Sequence, residues 1–131
     1  MASIFTRIVN GEIPAYKVAE NEQFLAFLDV NPLKAGHTLV IPKQEVDYIF
    51  ALDNETYQGL WAFAKRVSGA LEKAVPCKRI GVAVIGLEVP HAHIHLVPLD
   101  NIGDLDFGSH RAKFSQEEYK ELAAKIIAQF K

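Results

Sequence analysis

Three of the chain's five histidines fall in one run, His91-Ala92-His93-Ile94-His95-Leu96-Val97. In a β-strand, side chains two apart share a face. His91, His93 and His95 would then point one way, and Ala92, Ile94 and Leu96 the other. Successive imidazoles would sit ~6–7 Å apart. A neutral imidazole is a good nucleophile toward phosphorus, and a hydrogen bond to its second nitrogen fixes the tautomer. Flanking imidazoles can donate to phosphate oxygens or move a proton. The same residue type is also a common zinc ligand, so a His91–His93–His95 metal centre is a second reading. A polar sheet face without chemistry is the third. An extended strand sets alternate side chains side by side, whereas an ion's third ligand usually comes from elsewhere, which weighs against metal.

The elements that must position this strand are legible. Residues 3–9 read as a short helix, and Asn10-Gly11 with Pro14 reads as a turn. AYKVAE (15–20) and FLAFLD (24–29) read as a hairpin around Asn21–Gln23. DVNPLKAG (29–36) is a loop, and HTLVIP (37–42) an apolar strand closed by Pro42. The main helix spans about 53–75. Asp53 or Asn54 caps it, an apolar stripe runs through Leu60, Phe63, Ala64, Val67, Ala70 and Leu71, and Pro76 stops it. Arg79–Ile85 is nearly continuously apolar and reads as a central strand. Residues 100–114 are polar and irregular. A C-terminal helix, about 115–130, opens with the capping box Ser115/Glu118 and repeats Tyr119, Leu122, Ala123, Ile126, Ile127 and Phe130 at helical spacing. Its apolar face must pack on its own sheet or on a partner subunit. The expected fold class is α+β: an antiparallel sheet of about five strands with helices on one face.

The bulk numbers narrow the function. A chain of 131 residues, half of them hydrophobic, fits a single domain over 1–131 with one core. A net charge of −2 gives no basic surface for a long polyanion, so no nucleic acid is expected. No apolar run approaches a membrane span, and none at the N-terminus resembles a signal peptide. The one cysteine, Cys77, allows no internal disulfide, which suits a reducing compartment; the cytoplasm is the expected location.

At the histidine run the chain resembles the histidine triad (HIT) superfamily, whose signature is His-φ-His-φ-His-φ-φ with φ apolar. HAHIHLV at 91–97 fits every position. EIPA at 12–15, FLAFLDVNP at 24–32 and GHTLVIPK at 36–43 stand in the order and spacing typical of Hint-like nucleoside phosphoramidases and their bacterial relatives. The likeness covers about 3–98, and the helical extension from about 100 carries no motif of that kind. The resemblance implies a HIT-like fold, usually a homodimer whose two sheets join. It implies a nucleotide hydrolase or transferase that cleaves the bond between a nucleoside α-phosphate and its leaving group, of phosphoramidate or dinucleotide type. His93 would be the nucleophile and form a nucleotidyl-histidine intermediate. His91 and His95 would orient it, contact the phosphate and help protonate the leaving group, with His37 supporting the triad. Asp29 would hold the ribose hydroxyls. Ile4, Phe5, Ile8 and Phe27 would surround the base of an AMP-like purine nucleotide, and Glu88 and Val89 also fit the nucleotide site. No cofactor is implied.

Two departures stand out. Many bacterial relatives carry C-x-x-C near residue 3 and a histidine after the VIPK element, which take part in a structural zinc site. Here those positions are Ser3, Thr6 and Glu45, and hydroxyls are poor zinc anchors, so no metal is expected. Relatives also often place an Asn and a Gln ahead of the triad strand, where this chain has the short VIGLEVPH at 84–91. Those amides would donate to the nucleotide. Backbone donors from Gly86 to Val89 are the substitutes within the loop. In the C-terminal segment Arg111 and Lys113 are within reach of a phosphate on sequence grounds and His110 is a spare titratable group, but the favoured reading of each is a plain surface residue. A non-catalytic purine-nucleotide-binding protein is the alternative function, and a histidine-cluster metalloprotein a lesser one.

Overall fold

The computed structural model describes residues 2–108 and 110–131. Five strands form one antiparallel sheet in the order β1-β2-β3-β5-β4: β1 (Lys17–Glu20), β2 (Phe24–Leu28), β3 (Thr38–Pro42), β4 (Arg79–Ala83) and β5 (Ile94–Leu99). Helices α1 (Ile4–Val9), α2 (Asn54–Ala74) and α3 (Gln116–Gln129) complete it, with 3₁₀ turns at Ile49–Ala51 and Ile102–Leu105. No helix among the described residues is long and apolar enough to cross a membrane.

β2 and β3 are buried at every position, because the sheet is covered on both faces. Phe24, Ala26, Leu28, Val40, Ile94 and Leu96 join the core beneath α2 and α3. The alternate residues Leu25, Phe27, Leu39 and Ile41 pack with Phe5 and Ile8 of α1 on the opposite face. A continuous apolar run is therefore what these strands require. The expectation of helices on one face only is thus refined: α1 covers the second. α2 buries its whole stripe from Leu60 to Leu71, and Asp53 caps it by accepting from Thr56 N–H. α3 has the Ser115/Glu118 box and packs on α2 and β1 of its own chain. Its Ile127, expected on the apolar stripe, is about half exposed.

Two expectations change. Arg79–Ile85 is not a central strand: β4 lies at the sheet edge, and Val82, Val84 and Ile85 stay substantially exposed. An apolar run reports apolar surroundings, not neighbouring strands, and here the chain does not itself cover that run. The triad strand begins at Ile94 rather than His91. The β3–β5 ladder pairs Thr38–Val40 with Leu96–Ile94. Farther on, Pro42 has no N–H to donate and its carbonyl accepts from the His91 ring, so regular pairing stops. The alternation of faces survives the break, since Ala92 joins the helix-side core while His93 packs on Phe5.

The turn into β3 uses Gly36 at φ +91°, and a Cβ there would meet Leu71, Pro98 and Val75 at 3.1 Å. Gly69, on the exposed side of α2, has nothing within 4 Å. The two Gly→Ala changes should therefore act oppositely. Gly36→Ala should lower stability by about 1–3 kcal/mol through left-handed strain beside His37. Gly69→Ala should raise it by about 0.5–1 kcal/mol by removing glycine's entropy cost in a helix. Urea unfolding midpoints of both variants check this.

Candidate active site

The hydrogen bonds around the triad assign each ring a tautomer, because backbone groups have fixed roles. His93 Nδ1 lies 2.7 Å from the His91 carbonyl oxygen, which can only accept, so Nδ1 carries the proton. Nε2 keeps its lone pair and has no protein hydrogen-bond partner among the described residues. Phe5 meets the ring edge-on at 5.1 Å between centroids, and the His95 ring at 4.8 Å.

His95 is set from the other side. The Leu33 N–H donates to His37 Nδ1 at 2.9 Å, so His37 is protonated on Nε2. That N–H donates to His95 Nδ1 at 3.0 Å, which leaves His95 protonated on Nε2. The arrangement requires neutral rings. Burial pushes the His37 pKa down to about 4, with Arg111 and His93 adding to the effect. Burial likewise lowers His95 to about 3, with His93 and His37 the next causes. Asp29 places its carboxylate 3.5 Å from His37 Nε2. The Asp29 backbone is held through its N–H to the His37 carbonyl and through its own carbonyl, which accepts from the Tyr119 hydroxyl.

His91 is fully buried and has no free ring nitrogen. Nε2–H donates to the Pro42 carbonyl at 2.8 Å, and Nδ1 accepts from Ser3 Oγ at 2.8 Å. The expected phosphate contact by His91 therefore has no ring atom to make it, and His91 orients His93 through its carbonyl instead. Ser3 Oγ also caps α1 by accepting from Thr6 N–H. Glu45 Oε1 accepts from the Ser3 N–H at 2.7 Å and the Thr6 hydroxyl at 2.5 Å. The Thr6 hydroxyl, then the Ser3 N–H, hold the Glu45 carboxyl below the usual carboxylate range. These residues satisfy one another directly and supply no thiolate, so they do not fit the structural zinc that the sequence resemblance raises for these positions. The triad does not converge on an ion either. Among the described residues the clustered potential ligands are Asp29, His37 and His95. The Leu33 N–H keeps a proton on His37 Nε2, the atom a metal would need.

A cavity of about 290 Å³ opens on His93 and His95. Of the residues read from the sequence, Ile4, Phe5, Asp29, Glu88 and Val89 also line it. Phe27 and Ile8 do not. They are buried behind Phe5, whose ring meets Phe27 at 5.4 Å. His37 sits behind His95. Sequence reasoning missed Leu39, Asn31 and Phe107 as lining residues. Leu39 was not legible, because only its pairing with His95 across the β3–β5 ladder brings it to the site. Phe107 was not, because it lies in an irregular segment; its ring packs edge-on against His95 at 4.7 Å. Arg111 lines the cavity, whereas Lys113 and His110 do not. A second, larger cavity of about 350 Å³ borders His93 beside Tyr48, Phe50 and Trp61, but it does not reach His95.

The HIT domain family model matches residues 10–102. The adenosine 5′-monophosphoramidase of Schizosaccharomyces pombe is 34% identical over 137 aligned positions, covering all of both chains. A HIT-like protein of Bartonella henselae, described as involved in cell-cycle regulation and solved with an unknown ligand, superposes with a TM-score of 0.84 at 29% identity, over 98% of this chain and 96% of the other. A zinc-bound histidine triad family protein of Mycobacterium smegmatis has a TM-score of 0.83 at 32% identity, over 98% and 95%. The chain belongs to the HIT family, and its five-stranded α+β fold is that of its structural neighbours. Membership supports nucleotide hydrolase activity in general terms.

The buried neutral histidines give stability a pH dependence of definite sign. Unfolded histidines titrate near 6.5, whereas folded His37 and His95 take up protons only near 4 and 3. Between those values the unfolded chain binds more protons, so stability is full above about pH 6.5 and is lost as pH falls. The urea midpoint should drop between about pH 7 and about pH 5. The drop should be smaller in His37→Gln, whose amide can accept from Leu33 and donate to His95 without titrating. An unchanged wild-type midpoint would contradict the assignment of neutral rings.

Proposed function

We propose that this protein is a nucleotidyl hydrolase or transferase that works through a covalent intermediate on His93, with His91, His95 and His37 in support. One observation carries the reading: His93 has its proton fixed on Nδ1 by the His91 carbonyl, so an unshared Nε2 lone pair stands beside a His95 ring protonated on Nε2. Nε2 of His93 attacks the α-phosphorus and forms an N–P bond. The bond from phosphorus to the leaving group breaks, its electron pair stays on the leaving atom, and that atom takes a proton from solvent. His95 Nε2–H donates a hydrogen bond to the phosphoryl or leaving atom. Water then attacks the same phosphorus and releases a proton to solvent, the N–P electron pair returns to Nε2, and a nucleoside monophosphate departs. Dividing one displacement into two easier ones is the advantage of covalent catalysis.

The cavity suits a purine nucleotide: the Asp29 carboxylate takes the ribose diol, and Ile4, Phe5 and Val89 offer an apolar wall for the base. Phe27 and Ile8 back that wall, and Glu88 stands at its rim. Substrates of the phosphoramidate or dinucleotide class follow, in keeping with the Schizosaccharomyces pombe relative. We read the whole chain as one HIT domain with a helical extension, acting in the cytoplasm as a homodimer. Support for the dimer is the apolar β4 edge, with Val82 and Val84 exposed and the Trp61 Nε1 nearby buried without a hydrogen-bond partner among the described residues. The absence of amide side chains from 84–90 favours one alternative, a purine-nucleotide-binding protein without turnover.

Adenosine 5′-phosphoramidate, a diadenosine polyphosphate and an adenylated lysine should be assayed beside His93→Ala. At least one should turn over, and His93→Ala should lose about 10³-fold or more. Single turnover of a labelled substrate, quenched in alkaline denaturant because an imidazole N–P bond is acid-labile, should trap nucleotide on the wild-type protein only. A His93→Ala variant with most of its activity intact would sink the mechanism. AMP binding without turnover of any of the three would establish the non-catalytic alternative.

A further inference from the structure

The cavity next to His93 poses an electrostatic problem. Its lining carries two carboxylates, Asp29 and Glu88, and burial keeps His95 neutral. A phosphate entering would meet negative charge and few donors, since loop 84–90 has no amide side chain. The one cationic side chain in the lining among the described residues is Arg111, which lies beyond the family match at 10–102. Its place is defined. Nη1 donates to the Asn31 carbonyl at 2.8 Å and Nη2 to the Phe107 carbonyl at 3.2 Å. The guanidinium also sits 5.6 Å from the Phe107 ring, whose edge contacts His95.

A guanidinium has five N–H donors. Two are used on backbone carbonyls, and the others have no protein partner among the described residues. Arg111 forms no ion pair there either, in contrast to Lys34, which is held by Asp100 and Asp104. A half-buried, anchored cation without a carboxylate, facing a cavity beside a nucleophile, is arranged for an anion that arrives from outside. Arginine's fork matches phosphate oxygens.

Resting on the nucleotide reading of this cavity, we propose that Arg111 binds the substrate's phosphate and supplies the charge that the amide-free 84–90 loop does not. The contact is electrostatic and directional: unused N–H groups of the guanidinium donate to phosphoryl oxygens beside His95. Specificity follows. Phosphorylated nucleosides should be held much more tightly than the bare nucleoside, and the discrimination should reside in the C-terminal segment.

Calorimetric titration of the full chain with AMP and with adenosine tests this, using wild type, Arg111→Gln and Arg111→Lys. Gln can still donate to backbone carbonyls but is uncharged, whereas Lys keeps the charge and loses the fork. Arg111→Gln should bind AMP about 10-fold more weakly, the worth of one charge-assisted hydrogen bond. Adenosine should bind it as it binds wild type. Arg111→Lys should recover most of the AMP affinity. Added salt should weaken AMP binding by wild type more than by Arg111→Gln. With a turned-over phosphoramidate the change should fall on KM more than on kcat. Equal AMP affinity in wild type and Arg111→Gln would overturn the proposal and leave the nucleotide reading standing. So would an equal loss for AMP and adenosine, which would make Arg111 a strut for the Phe107 segment. A wild type that binds neither AMP nor adenosine would overturn the nucleotide reading itself.

Discussion

The protonation pattern of the site depends on one backbone donor. The Leu33 N–H points at His37 Nδ1, and from that bond the tautomers of His37 and His95 follow in sequence. The His91 carbonyl does the same for His93 from the opposite end of the triad. Peptide groups cannot exchange donor for acceptor, so they fix ring tautomers that side chains alone would leave free. Low dielectric reinforces the pattern, since burial lowers the pKa of His37, His91 and His95 and so favours their neutral forms.

The remaining structure holds these two peptide groups still. Leu33 lies in the 29–36 loop, which is closed by the Asp29 N–H to His37 and by the Gly36 turn. The His91 ring is tied to Pro42 at the end of β3 and to Ser3 at the start of α1. Sheet, loop and first helix thus meet at histidine side chains. A fully buried polar residue such as His91 is tolerable because both ring nitrogens are bonded. Ser3, Thr6 and Glu45 draw the start of α1 and the segment after β3 together by hydrogen bonds.

The C-terminal segment has a larger part than its irregular composition suggests. Tyr119, stacked on Tyr16 at 4.7 Å, donates to the Asp29 carbonyl, and the Ala112 N–H donates to the Pro32 carbonyl. Arg111 bridges to Asn31. Arg111, Ala112 and Tyr119 therefore strap the loop that carries Asp29 and Leu33, and Phe107 closes over His37 and His95.

By itself the sequence determined what is local and periodic. The α2 stripe, the Ser115/Glu118 box, the facing of Ala92, Ile94 and Leu96 into the core, and the identity of the histidine cluster all follow from spacing, because helix and strand periods act on each residue in turn. The alternation correctly put His93 and His95 on one face. Only the tertiary structure decided what depends on neighbours distant in the chain. Arg79–Ile85 reads as a buried strand yet lies at an edge, since hydrophobicity does not count adjacent strands. The partners of the His91 ring were decided by Ser3 and Pro42, and the position of Arg111 at the cavity lining by Asn31 and Phe107. The middle histidine was legible as a candidate nucleophile; which of its ring nitrogens is left without a protein partner depended on a carbonyl two residues away, whose direction no side-chain pattern encodes.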